Sequence, residues 1–203
     1  MKKSAPNALP VLALALVIAM VSGVASAQII YETFSTNYFA NNTTSGAPAA
    51  TLRFTEHDGV GLHEECAMIY VYAADQQLGE CCGCPVSYNG LVEENVKTDL
   101  LGNSLTRVTP NEGVVQIVSG AWTGRCDPTN VVVEPEIDSW MTHIQNKIGT
   151  TFPITEDAGD AEFLSSDELT TLESDCAFAI RLGSGFGVCT CNSDGSVPPK
   201  PVS

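Results

Sequence analysis

Three cysteines fall within four residues in Glu80-Cys81-Cys82-Gly83-Cys84-Pro85, and Cys66, Cys126, Cys176, Cys189 and Cys191 complete a set of eight. Thiols this close could do three kinds of chemistry. They could hold a soft metal ion as thiolates, cycle as a redox pair, or join distant parts of the chain as disulfides. Zinc or an iron–sulfur cluster needs four placed ligands, commonly as CxxC pairs or cysteines with histidines. The sequence contains neither CxxC nor CxxCH, so zinc-ribbon, thioredoxin-like and covalent haem readings have no signature to rest on. Copper at CCGC would require the thiols to stay reduced.

The redox compartment decides between these. The chain opens with Lys2 and Lys3, continues through an apolar run from Val11 to Val21, and reaches Ala25-Ser26-Ala27. A positive start, a short apolar run and small residues make a secretory signal peptide over 1–27. The run is shorter than the roughly 20 residues a membrane span needs. Cleavage after Ala27 would leave a chain beginning at Gln28, released to the periplasm, cell surface or exterior. There, eight cysteines read as about four disulfides rather than as ligands or nucleophiles. Connectivity stays open among 105 pairings. In an extended chain Cys82 and Cys84 share a side, as do Cys189 and Cys191, so a double staple between these segments is one candidate. Cys176 would then pair with Cys126 or Cys66.

Other chemistry is weakly signalled. His57, Asp58, His63, Glu64 and Glu65 could hold a divalent ion, but Gly59 and Gly61 make this a glycine-punctuated loop, and the HExxH spacing is absent. Gly183-Ser184-Gly185-Phe186-Gly187 places glycine where a nucleophile elbow needs serine. Carboxylate pairs such as Glu93-Glu94 and Glu134-Glu136 could serve a glycosidase, but spacing alone selects none. Asn192-Ser193-Asp194-Gly195 lacks the ligand series of a calcium loop. No catalytic, cofactor-binding or metal residue is assigned, and no cofactor is expected. Without the leader, 24 acids face seven basic residues, a net charge of −17. Such a chain repels phosphate backbones, which argues against nucleic acid as a partner. No integral membrane segment is expected after processing.

The elements that would carry these residues are mostly strands. A β-prone arm and linker span 28–48, a stapled domain spans 49–191, and a proline-containing tail spans 192–203. Thr51 to Thr55 alternates as a half-buried strand. Cys66 to Tyr72 is a continuous apolar run, the pattern of a strand buried on both faces. Asn89-Gly90 between short apolar segments predicts a hairpin. Leu105 to Val108 and Val114 to Val118 predict two further strands. Helices are predicted at 136–148, where Ile137, Trp140, Met141, Ile144 and Ile148 share a helical face with His143 beside it, and at 166–181, where Ser165 and Glu168 form a capping box.

The block ECAMIYVYAADQQLGECCGCP, the VVQIVSG strand and the closing LGSGFGVCTC together resemble a family of uncharacterised secreted, cysteine-rich proteins of environmental bacteria. The likeness runs from about Leu52 to Cys191. It implies a single stapled unit and supplies no active-site residues.

The expected fold is mainly β, a sandwich-like single domain with two amphipathic helices and about four disulfides, of Greek-key or immunoglobulin-like connection. The expected function is that of a non-catalytic secreted or cell-surface protein, structural or adhesive. Its partners would be extracellular or cell-surface components, or a second copy reached by strand pairing of residues 28–40, although sequential strands favour this arm folding back onto its own sheet. The alternatives are a carboxylate-dependent polysaccharide hydrolase and a small-ligand or metal-binding module.

Overall fold

A computed structural model describes residues 33–56, 64–135 and 137–191. Among the described residues nine strands form two antiparallel sheets: β1 (Phe34–Phe39), β2 (Thr51–Glu56), β3 (Glu65–Ala73), β4 (Leu78–Val86), β5 (Leu91–Asn95), β6 (Gly113–Ala121), β7 (Ile137–Ile144), β8 (Ile154–Ala158) and β9 (Asp160–Glu162). One sheet has the order β4-β3-β6-β1-β9, the other β5-β2-β7-β8. The long helix α1 is Ser166–Arg181, and a π-helical turn occupies Val96–Leu100.

The molecule is built as three layers, and β3 explains why. Its Ala67, Ile69 and Val71 pack between the sheets with Leu52, Phe54 and Met141. Its Cys66, Met68 and Tyr70 pack on the opposite face with Phe34, Val118 and the α1 residues Leu172, Cys176 and Ala179. A strand covered on both faces cannot show alternation, so its apolar run follows from its position. Both sides of the run are also paired, to β4 and to β6. Helix α1 begins as predicted: the Ser165 hydroxyl accepts from the Glu168 amide at 3.2 Å, satisfying a donor the helix cannot.

Alternation along β4 distributes the cysteine block. Cys81 faces α1 and bonds Cys176, while Cys82 and Cys84 face the inter-sheet core and bond Cys189 and Cys191. Cys66 bonds Cys126. The double staple is thus present, whereas Cys176 pairs with neither Cys126 nor Cys66. Gly83 has a steric reason: a Cβ there would lie 2.5 Å from the Cys126 carbonyl oxygen. The closing segment covers the edge of β4, where the Cys81 amide donates to the Gly187 carbonyl at 3.0 Å and the Cys189 amide to the Cys81 carbonyl at 3.2 Å.

Several expectations need correction. Residues 136–148 are not a helix: β7 occupies Ile137–Ile144, paired with β2 on one side and β8 on the other. Ile137 and Met141 fit either period, but Ile144 fits only the helical one, and the residues completing strand alternation, Ser139 and His143, are polar and buried. Ser139 Oγ lies 2.7 Å from Ser35 Oγ and accepts from Asn37 Nδ2 at 3.2 Å, so a polar residue faces inward satisfied. The His143 ring lies 4.0 Å from that of Tyr38, a packing role. Asn89 does adopt the left-handed conformation of a tight turn, at φ 53°, but the turn joins β4 of one sheet to β5 of the other and makes no hairpin. Leu105–Val108 is not a strand. It is a turn whose Leu105 amide donates to the Gly79 carbonyl and whose Arg107 guanidinium lies 4.5 Å over the Phe186 ring.

The arm and linker are likewise part of the sandwich. β1 lies inside its own sheet, paired to β6 and β9, so the described part of the 28–40 arm folds back on its own chain. The linker is ordered: Asn42 donates from its amide to the Asn111 carbonyl at 2.9 Å and from its side chain to the Pro110 carbonyl at 3.0 Å. His57, Asp58 and His63 lie outside the described residues, as does the 192–203 tail.

The two adjacent staples should not act independently. With Cys81–Cys176 formed, Cys82–Cys189 closes a loop of about 15 residues, worth about 3 kcal/mol in chain entropy. Cys84–Cys191 then closes only about six residues, worth about 2 kcal/mol. Removing either pair as a double alanine variant is expected to cost about 2 kcal/mol, and removing both about 5 kcal/mol. Denaturant unfolding of the three variants measures this, and strictly additive losses would contradict it.

Candidate functional site

The first candidate is the sulfur junction. The Sγ atoms of Cys82, Cys84 and Cys191 lie within 4.8 Å of one another, a spacing a metal ion could bridge. All three are consumed in disulfides, however, and no described cysteine is free. Soft-metal capture needs thiolates, so the chemistry available here is cross-linking. Cys191 and Cys189 act from a segment that also donates from the Thr190 amide to the Asp99 carbonyl at 3.1 Å. Asp99 itself accepts from the Asn95 amide at 2.8 Å and so belongs to the turn that follows β5. One short segment thereby bridges β4 of the first sheet to the exit of β5 from the second.

The second candidate is Glu80, one residue before the cysteine block and fully buried. Its position opposite Val71 turns it into the inter-sheet core. Oε1 accepts from the Asn103 amide at 2.6 Å, while Oε2 has no partner among the described residues. Burial pushes its pKa up to about 8, against the downward pull of the Asn103 hydrogen bond. Asn103 is in turn tied to the loop after α1, since its side chain donates to the Gly185 carbonyl at 2.6 Å and its own carbonyl accepts from the Gly187 amide at 2.8 Å. Glu80 therefore sits beneath the loop that delivers Cys189. It is too enclosed to meet a substrate, and it acts through its protonation state on the stability of this corner.

The third candidate is a cleft of about 670 Å³ between α1 and the ends of β3 and β6. Tyr72, Val114, Gln116, Glu168, Leu172 and Asp175 are among its lining residues. The Tyr72 hydroxyl donates to Asp175 Oδ2 at 3.1 Å. Burial, reinforced by the Asp175 charge, raises the Tyr72 pKa, so the phenol stays neutral and remains a donor. Glu168 and Asp175 stand two turns apart on one helix, about 10 Å along its axis. Both acids therefore occupy the same wall. The carboxylate pairs named from sequence are not brought here: Glu93 pairs with Arg53 on the outer face of the second sheet at 2.9 Å, and Glu94 is buried on β5.

Sequence reasoning used Glu168 only as a helix cap and passed over Tyr72, Glu80 and Asp175. The available signals were slight. Tyr72 ends the apolar run of β3, Asp175 directly precedes the helix cysteine, and an acid directly precedes Cys81 where a strand should be apolar.

Fold and site together define a disulfide-stapled β-sandwich with a helix packed on one outer face and a polar cleft at the seam. No family model, curated protein or solved structure matches the chain.

Glu80 gives a pH prediction. Its pKa rises from 4.5 to about 8 on folding, so the native state holds the proton more tightly. The stability this confers is complete below about pH 4.5 and is lost as pH rises through about 8, with a slope of up to about 1.4 kcal/mol per pH unit. Glu80→Gln, neutral throughout, should flatten this segment and be the more stable protein at pH 9. Urea unfolding across pH 5 to 9 tests this, and an unchanged slope in the variant would assign the dependence to another group.

Proposed function

We propose that the protein is a non-catalytic component of the cell surface or extracellular space, structural or adhesive. The observation that carries this reading is that all eight cysteines are used in four disulfides. Such bonds persist where the surroundings are oxidising, which fits export by the leader read from the sequence. Among the described residues no helix is long and apolar enough to cross a membrane. The resemblance of the CAMIYV and CCGCP block to secreted cysteine-rich proteins agrees with the same assignment.

The placement of the staples supports a mechanical role. Three of the four anchor β4, the outermost strand of its sheet, to α1 and to the closing segment. A load applied at the end of the described chain would reach covalent bonds before it reached the hydrogen-bonded ladder. The hydrolase alternative would draw on Glu168 and Asp175. A glycosidase places its two carboxyl groups on either side of the scissile bond, about 5 to 9.5 Å apart, whereas these two share one helix wall. The arrangement suits holding a ligand better than cleaving one.

The test is localisation joined to an activity screen. Expressed with its leader, the protein should be recovered outside the inner membrane, cut after Ala27, at a mass eight hydrogens below that of the reduced chain. It should release no reducing ends from a panel of polysaccharides. Cytosolic recovery with free thiols would overturn the reading, and so would reducing-end release that Asp175→Asn abolishes.

A further inference from the structure

The cleft between α1, β3 and β6 has a shape and lining that select a ligand class. Its carboxylates are Glu168 and Asp175, and its other polar side chains are neutral: Tyr72, Gln76, Gln116, Ser165 and Thr171. No lysine, arginine or histidine lines it among the described residues. Val114, Leu172 and the Tyr72 ring give it an apolar floor. We propose that this cleft binds a linear diammonium compound, an α,ω-diaminoalkane or short polyamine, with one ammonium at Asp175 and the other at Glu168.

The spacing carries the argument. Seven residues of α-helix separate the two acids by about 10 Å, and an ammonium nitrogen sits about 2.8 Å from its carboxylate oxygen. The nitrogens of a bridging ligand would then lie roughly 5 to 9 Å apart, which four to six methylenes provide. The methylenes would lie along Val114 and Leu172, out of water. One ammonium would approach the face of Tyr72, where a cation is attracted by the ring.

The carboxylates are prepared for this in different ways. The Tyr72 hydroxyl holds Asp175 in place and uses one of the roughly four acceptor positions of its carboxylate, leaving capacity for a charged donor. Glu168 lies in the first turn of α1, where its backbone is held by the Ser165 hydroxyl, which accepts from its amide at 3.2 Å. A single calcium ion is a poor rival, because it takes six to eight oxygen ligands at about 2.3 to 2.6 Å, whereas the cleft offers two carboxylates whose backbones stand about 10 Å apart along α1. The net charge of the chain, −15, would concentrate any dication near the surface and add to the association rate.

The experiment titrates the oxidised full chain with 1,5-diaminopentane and with pentylamine by calorimetry at fixed ionic strength. The diamine should bind at least about tenfold more tightly, because only it engages both acids. Asp175→Asn keeps an acceptor for Tyr72, and Glu168→Gln keeps the capping-box geometry, so both should fold, as unchanged thermal unfolding would verify. Each should reduce diamine affinity about tenfold and bring the diamine-to-monoamine ratio close to one. Equal affinity for the two amines, or a diamine preference that survives both substitutions, would show attraction by the surface charge alone and overturn the proposal. Displacement by calcium at matched ionic strength would overturn it in favour of a metal site.

Discussion

Side chains along a β-strand must alternate between its two faces, and in β4 both faces are interior. Cys81 turns toward α1 and the open side of Gly83 toward Cys126, while Glu80, Cys82 and Cys84 turn toward the opposite sheet. The spacing of CCGC is that alternation written in sulfur. One strand at the edge of its sheet becomes the anchor of three layers, because a bond leaves it in each direction: outward to Cys176, inward to Cys189 and Cys191. An edge strand ordinarily presents unpaired backbone groups to solvent and to other chains. Here residues 187–189 occupy part of that edge with backbone hydrogen bonds, and the staples prevent them from peeling away.

Enclosure on both faces makes the interior unusually demanding of its polar groups. Ser35, Asn37 and Ser139 form a hydrogen-bonded set between the sheets, and the chain crosses from β8 to β9 beside them at Gly159. A Cβ at Gly159 would lie 2.7 Å from both Asn37 Nδ2 and Ser139 Oγ, so a larger residue at this crossing would have to displace the hydrogen-bonded set. Glu56 is buried as well, with Oε2 accepting from the Asn89 amide at 2.8 Å, which fixes the turn leading into β5. Glu80 does the same for the Asn103 loop. Buried carboxylates thus position turns in this fold, at the expense of desolvation that leaves Glu80 sensitive to pH.

How far the sequence disclosed this architecture follows from the same facts. The β3 run was legible because burial on both faces leaves only apolar residues, and the helix at Ser166–Arg181 because its cap and apolar face agree. Side-sharing offered the double staple of Cys82 and Cys84 to Cys189 and Cys191 as one candidate among open pairings, and the structure selects it. The strand β7 was not legible: its inward Ser139 is hydrogen-bonded and its inward His143 ring is packed by groups on β1, a distant part of the chain, and local periodicity cannot report a partner it does not contain. The Asn-Gly turn illustrates a related limit. Its conformation is local and was readable, but the sheet each flanking strand joins is decided by long-range pairing. The cleft was least visible, since Tyr72, Glu168 and Asp175 converge only when α1 docks on β3.

That docking is not free to vary. Cys176 follows Asp175 directly and is bonded to Cys81, while Leu172, one turn earlier, is buried against the same face. The middle of α1 therefore has a covalent tie and a packing contact on either side of the cleft wall. The Tyr72–Asp175 hydrogen bond can form in one register only. A cleft held this way loses little further freedom when a ligand enters, and ordering cost is what most reduces the affinity of small polar sites. The staples and the cleft are thus connected physically: the bond that closes the fold at Cys81 also sets the position of the carboxylate beside it, and an adhesive or binding role would depend on that rigidity rather than on reactive sulfur.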